Sequence, residues 1–544
     1  MMDLVPPDWT HCGHGADPAT DPVGCRGVYV SGRTACLAHL TDEDRVTYLT
    51  GLAPGASVNH LGTTFDGPLL RDLLEALRDP ATRQPRFGSA WFDGATFIGD
   101  ARFDHVTFAE DAYFNRATFT GDARFGGATF TGDAWFDEAR FAGAWSGATF
   151  YSAARFGGAT FHGDAWFSGA RFASLSQFGP FVCVREVGLS DAVFDAPVTM
   201  EIAAGAVRCA RTRWASTATL RLRYAAVDLR DAVLSAPVAV TAYRVPFTLR
   251  PGQTVDESAV VASVPDASVQ IDSVSGVDAA HLVLTDTSLI GCQFTGAFHL
   301  DELRLEGNNT FASPPKRWRW TRRRVLAEEH HWRALPPENP NPPRGWTPSP
   351  HVPGPAVVPG PNQLASVYRA LRKASEDAKN EPDAADFYYG EMEMRRHDSG
   401  RSLGERGVLW LYWLLSGYGL RALRALSWLV FVMTLTVLGL MLWGLPADPH
   451  PPVEPITGTL GGGKKVALFT GTPIIGGVAP GPWSEKISTH RLDRAVRVAV
   501  NSVAFRSAGQ GLTRPGTYIE MGSRLAEPIL LVLVILAVRG RVKR

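Results

Sequence analysis

The sequence predicts a mainly β protein: a long β-solenoid, then α-helical segments, then two transmembrane helices. Three observations predict it. Phenylalanine recurs every five or six residues from Phe87 to Phe178, with one slip around Trp145. Helical spacing replaces that repeat only after a proline-rich stretch, residues 336–361, which carries eleven prolines. Near the C-terminus, Leu426–Leu445 runs twenty residues without a charge, enough to cross a bilayer.

At 544 residues the chain exceeds one hydrophobic core, and five segments are expected: 1–80, 81–312, 313–361, 362–424 and 425–544. Lys plus Arg and Asp plus Glu each total 54, so no global field favours a nucleic-acid partner. Six scattered cysteines do not make a secreted disulfide framework. Pro6, Pro7 and Asp8 interrupt the first apolar residues, which speaks against a signal peptide and for a reducing cytoplasm.

Segment 1–80 holds Cys12, Cys25, Cys36 and His39, a Cys₃His set whose thiolate and imidazole donors suit tetrahedral Zn²⁺. Ordinary buried cysteines are the competing reading, because only Cys36-x-x-His39 has tight spacing. His14 is a weaker fifth candidate. Two short helices follow, one starting at Thr41 with its acidic cap and one over Pro68–Arg78. They are expected to cap the first coil and block end-to-end stacking.

In segment 81–312, seventeen phenylalanines occupy positions 87, 92, 97, 103, 108, 114, 119, 125, 130, 136 and 141, then 150, 156, 161, 167, 172 and 178. Alanine stands two residues before many of them, as at Ala95, Ala101, Ala112, Ala117, Ala123, Ala128 and Ala134. A period of five or six suits neither a helix nor an ordinary strand, but it suits a chain bending repeatedly around a stacked core. This pattern resembles the pentapeptide-repeat family. The resemblance implies a right-handed quadrilateral β-helix with the large and small side chains pointing inward and four units per turn.

Where spacing is six, the link reads Gly-Asp, as in Thr120-Gly121-Asp122-Ala123. Two such wide corners per turn give a 22-residue coil, stacking Asp100 over Asp122 and Asp111 over Asp133. These aspartates are expected to accept corner backbone N–H groups rather than to bind cations or mimic DNA, since arginines interleave with them. Leu189–Met200 echoes at Leu229–Val240 and again at Leu289–Leu300. Offsets of 40 and 100 are multiples of a 20-residue coil, which extends the solenoid to about residue 311.

Lys316–Arg324 is the densest basic run and is expected to touch anionic lipid head groups. The proline-rich stretch is expected to be an extended spacer. Helices follow over Asn362–Asn380 and Asp383–Arg396. Tyr368–Lys373, Asn380-Glu-Pro and Phe387–Arg396 resemble the module that joins pentapeptide repeats to a membrane anchor in actinobacterial membrane proteins. Glu391 and Glu393 fall on different helix faces, so they form no paired-carboxylate site.

The second span is expected from near Tyr518 to Val538 and includes Glu520, Arg524 and Glu527. Ionisable residues within a span are functional candidates. Arg421 and Arg424 flank the first span and Arg539, Arg541, Lys543 and Arg544 the second, which places both termini in the cytoplasm and a long loop outside. Leu492–Phe505 reads as a helix in that loop, followed by the Gly-containing stretch Arg506–Leu512.

No nucleotide-binding glycine loop, nucleophile elbow or acid–base cluster is present, so no enzyme is expected. The leading functional reading is a plasma-membrane scaffold that presents its β-helix to a cytosolic protein. The second is a two-span channel or transporter-like protein, which would be a homo-oligomer; the potassium filter Thr-Val-Gly-Tyr-Gly is missing. Protection of a topoisomerase by DNA mimicry, implied by the family for some members, ranks third because this solenoid is only mildly acidic.

Overall fold

The computed structural model describes residues 6–250, 252–264, 266–315, 323–334, 345, 346, 348, 358–446, 456–460, 464–468, 486–504 and 512–542. Two compact units make up the chain, residues 1–394 and 395–544.

The first unit is a parallel β-solenoid of about ten turns. In the first coils each turn contributes one phenylalanine to each of four stacks, which explains the five- and six-residue spacing there. One stack runs Phe65, Phe97, Phe119, Phe141 and Phe161, with ring centroids 4.5–5.3 Å apart. A second runs Phe87, Phe108, Phe130, Phe150, Phe172, Phe194 and Trp214. Phe92, Phe114, Phe136 and Phe156 form the third, and Phe103 on Phe125 belongs to the fourth. Neighbouring stacks meet edge to face, as Phe103 does with Phe114. All of these rings are buried, with Ala95, Ala101, Ala112 and Ala117 filling the smaller inward positions. Each buried ring contributes roughly 1.5–3 kcal/mol, and only the stacked arrangement buries both of its faces.

Coil length follows the corners. Ala101 pairs with Ala123 and Phe97 with Phe119, the expected offset of 22. A bulge between Arg124 and Ala128 then shortens the offset to 20, where Ala128 pairs with Ala148. The aspartates do what the Gly-Asp links predict. Asp100 Oδ1 accepts from Asp122 N at 3.3 Å, and Asp122 Oδ1 from Ala144 N at 3.0 Å. On another corner Asp111 Oδ1 accepts from Asp133 N at 2.9 Å, and Asp133 Oδ1 from Ala153 N at 3.1 Å. A further ladder climbs through Asp93, Asn115 and Asp137 to Gly157 N. These side-chain oxygens satisfy corner donors that no strand partner reaches.

The solenoid begins earlier than residue 81. Val58 already pairs with Ala90, and Thr64–Phe65 with Thr96–Phe97. Helix α1, Asp42–Thr50, starts at the predicted Thr41 cap, whose hydroxyl accepts from Asp44 N. Helix α2, Gly67–Ala76, is inserted within the first coil, capped by Asp66 and buried through Leu69, Leu70 and Leu73.

A second insertion corrects the echo at Leu289. Val227 pairs with Ile271 and Val238 with Leu282, so this coil is enlarged by the segment between them. The column of Leu189 passes through Cys209 and Leu229 to Val274 and then Phe294: Leu229 N donates to Ser273 O, and Val274 N to Gln293 O. Leu289 therefore stands in a different column, and the offset of 100 is not five uniform coils. The inserted chain contains helix α3, Ser258–Val261, and packs Phe247, Val255 and Val260 on Val182, Ala203 and Tyr224. Inside it, Arg223 Nε donates to Glu257 Oε2 at 2.9 Å, both side chains buried.

The last parallel pairing among the described residues joins Ser288 to Thr310, and Ala312 then pairs antiparallel with Val325. Helices α4 (Ala327–Ala334), α5 (Pro361–Asp377) and α6 (Glu381–His397) follow. Leu326, Leu364, Tyr368, Leu371, Phe387 and Met394 extend the solenoid's own hydrophobic core. The helices are thus a lid on the open end, which the sequence spacing did not reveal.

In the second unit, α7 is Leu403–Ser416 and α8 is Ala422–Gly439, continuing as a wider π-turn over Leu440–Gly444. A hairpin pairs Ile456–Leu460 with Lys464–Leu468. Helix α9 is Thr489–Ala504 and α10 is Arg514–Val542, four residues earlier at its start than expected. Gly516 and Gly444 allow backbones to touch where α10 begins, because a side-chain carbon on Gly516 would lie 2.4 Å from Gly444 O.

Candidate metal centre

The three cysteines and the histidine are brought together by two short pieces of chain. Cys12 N donates to Gly27 O and Gly13 N to Cys25 O, so the strands before and after a turn place Cys12 beside Cys25. Cys36 precedes a single 3₁₀ turn, Leu37–His39, and His39 N donates to Cys36 O at 2.9 Å. That turn puts Cys36 and His39 on one side. Gly27 lets the two pieces approach: a side-chain carbon there would sit 2.7 Å from Cys36 Cβ.

The four donor atoms, Sγ of Cys12, Cys25 and Cys36 and a ring nitrogen of His39, all lie within 4.8 Å of one another. Cys36 Sγ is 3.3 Å from His39 Nδ1, Cys25 Sγ is 3.6 Å from Cys36 Sγ, and Cys12 Sγ is 3.7 Å from His39 Nδ1. Hydrogen bonding from Cys36 lowers the Cys25 thiol to about 5 against the opposing effect of burial, and the same contact raises Cys36. A thiolate is therefore favoured at Cys25. His14 stacks on the His39 ring at 4.2 Å and is outside the donor set.

The cluster is fastened to the first coil. Val28 N donates to Leu61 O, and Trp9 Nε1 to Arg26 O. Leu37 enters the main core. Beneath it, buried His60 sits between Phe65 and Phe92, and burial lowers its pKa to about 3.

At the opposite end, the lid is held by charges that the sequence reading placed elsewhere. Arg323, read as part of an exposed basic run, is buried and ion-paired to Glu329. Arg324 pairs with Asp383 at 2.8 Å. Residues 316–322 and most of the proline-rich stretch lie outside the described residues. Burial opposes charge on Glu329, yet Arg323 and Arg333 hold its pKa down to about 2. Glu328 Oε1 accepts from the backbone of Phe294 and Thr295 at 2.8 and 2.6 Å, covering donors of a late coil. Glu391 and Glu393 do diverge: the first meets Arg369 and Arg372, the second Arg333. Residues i to i+6 apart, such as Arg323 and Glu329, carry no helical signature, and so the lock was missed.

Of the membrane candidates, Arg524 pairs with Glu520 at 2.8 Å on one helix face. Glu527 is separate, buried, and accepts from Thr436 Oγ1 of α8 at 2.9 Å. Sequence reasoning passed over Arg491. Its buried guanidinium donates to the carbonyls of Met441, Leu445 and Pro446 at 3.0, 2.8 and 2.8 Å, closing the end of the π-turn. The Gly-containing stretch after α9 lies, from Arg506 to Gly511, outside the described residues.

Four columns of inward rings on parallel coils define a quadrilateral repeat solenoid. Residues 103–145 match the family model of pentapeptide repeats, nine copies. Over that stretch the solenoid is built from pentapeptide repeats. No curated protein and no solved structure matches the chain. Ala422–Gly444 and Arg514–Arg539 are two helices long and apolar enough to cross a membrane.

Proposed function

We propose that this protein is a non-enzymatic scaffold of the plasma membrane, held by two spans and presenting its solenoid to a cytosolic protein. One observation carries the reading: α8 and α10 combine apolar composition with outward apolar side chains, while the repeat unit buries its own. Leu426, Val430, Phe431, Leu435 and Leu438 are exposed on α8, and Ile529, Val532, Ile535 and Leu536 on α10. Such surfaces are matched to lipid. Arg421, Arg424, Arg539 and Arg541 flank the spans and support cytoplasmic termini. The spans meet through Thr436 and Glu527, which supports a hairpin inserted as a pair. A stiff repeat surface bearing regular corner ladders suits recognition of a protein partner.

The test uses the full chain in its native membrane. Resistance to alkaline carbonate, with tags at both termini protected on the cytoplasmic side, is expected. Release by carbonate, or termini on opposite sides, defeats the topology. Crosslinking should recover a cytosolic protein with the full chain and not with residues 395–544 alone; equal recovery defeats the scaffold role.

A second reading, a two-span channel, is favoured by α9, which sits between the spans and packs Ala495 and Val498 with Leu440, Met441 and Leu445. Ion flux through purified oligomers in liposomes supports that reading over a scaffold.

A further inference from the structure

We propose that Cys12, Cys25, Cys36 and His39 bind one structural Zn²⁺, and that this ion clamps the N-terminal segment over the first coil. Tetrahedral zinc with Zn–S near 2.3 Å and Zn–N near 2.0 Å sets its donors about 3.5–3.8 Å apart. Three of the six donor separations, 3.3, 3.6 and 3.7 Å, lie near that spacing, and all four donor atoms fall within 4.8 Å of one another. Three thiols and one imidazole favour Zn²⁺ over hard cations, which take oxygen ligands. Four protein donors leave no open position for water or substrate, so the site is structural and not catalytic.

The surrounding chain explains what the ion is for. Helix α1 has no buried residue, and between residues 6 and 57 the buried apolar side chains are Val23, Val30, Cys36, Leu37 and Leu40. With the half-buried Tyr48, Leu49 and Leu52 that also pack on the core, this is a thin apolar contact for some fifty residues. Without a clamp, the backbone groups of Val58–Asn59 and Thr64–Phe65 are a strand edge open to another copy. A clamp that joins both pieces of the cluster, and through Leu37 reaches the solenoid core, keeps that edge covered. Zinc affinity here is coupled to folding of the segment.

Cys25 and Cys36, with their sulfurs 3.6 Å apart, also form the competing outcome, a disulfide. The full chain, purified in detergent with reductant from zinc-supplemented cells, is the material. Elemental analysis is expected to find one zinc per chain, and X-ray absorption to find three sulfur neighbours and one nitrogen. Cys25→Ser/Cys36→Ser should lose the ion, whereas His39→Cys should keep it with four sulfurs. His14→Ala and Cys183→Ser should keep it unchanged. Stripping the ion should make residues 6–57 protease-sensitive and raise the oligomer size, with the rest of the solenoid still resistant. A zinc-free chain, a Cys25–Cys36 disulfide in that preparation, or zinc retained by the double serine variant overturns the proposal. Should the double variant fail to fold, Co²⁺ loading of the native chain decides: tetrahedral thiolate absorption supports the site, and its absence overturns it.

Discussion

Arg323 Nη2 lies 2.5 Å from Glu329 Oε1, and both side chains are buried, at 4% and 0% exposure. Arg333 shares the same oxygen at 2.7 Å, and the Tyr368 hydroxyl donates to Oε2. One carboxylate thus joins the chain entering α4, α4 itself and α5. Replacing Glu329 by Ala leaves two arginines without their shared partner, which typically costs about 3–5 kcal/mol. Limited proteolysis should then open residues 323–394 while the phenylalanine coils stay resistant. A variant with the native melting temperature and cleavage pattern would show that the lid is held by apolar contacts alone.

Phe119 stacks between Phe97 and Phe141 at 4.7 and 4.8 Å. Phe119→Ala should destabilise the solenoid by about 3–5 kcal/mol, because neighbouring coils on both sides prevent collapse into the cavity. Phe119→Leu, which keeps much of the volume, should lose less than half of that. Equal effects measured by denaturant unfolding would argue against ring stacking as the source of order.

The corner ladder makes a smaller prediction. Asp122 Oδ1 accepts from Ala144 N, and its charge is shared with Arg124 at 3.7 Å. Asp122→Ala removes an acceptor from a half-buried donor and should lower stability by about 1 kcal/mol. Asp122→Asn keeps an acceptor oxygen and should be close to neutral. If Asn is as damaging as Ala, charge and not acceptance is what the corner requires.

His60 predicts a pH dependence. Its folded pKa is near 3, below the ordinary 6.5, so the unfolded chain binds this proton first. Stability is complete above about pH 6.5 and declines as pH falls toward 3, by up to roughly 4 kcal/mol. Glu329 adds acid sensitivity only in the lower window from 4.5 to about 2. His60→Gln should therefore flatten the melting temperature between pH 6.5 and 5, which wild type should not do.

The coils were legible because every turn repeats one chemical instruction: a large ring, an alanine two residues earlier, and Gly-Asp where the corner widens. Phe97, Asp122 and Ala101 each reveal their partners by offset alone. What interrupted the offset was hidden. Helix α2 lies within the first coil, and the segment carrying Phe247 and Val260 enlarges a later one, so arithmetic placed Leu289 in the wrong column. The metal cluster was half legible. Cys36-x-x-His39 announces one turn, but the nearness of Cys12 and Cys25 depends on backbone pairing across Gly27. Arg323 misled for a related reason. Charge density around it suggested a surface, whereas its partner, Glu329, waited on the next helix.

Register shifts between Phe178 and Phe181 and between Cys183 and Glu186 bring the offset from 22 residues down to 20, and from there Val193, Arg213 and Val233 pair in succession. Within that stretch every turn presents the same seam above and below. Removing residues 193–212 would join two matching edges and shift no side chain from inside to outside. Length in this part of the molecule is therefore quantised: it can change by whole turns while the chemistry at both tips stays as it is. A reach that is adjusted in discrete steps, independently of how the ends are sealed, is the property this corner geometry confers.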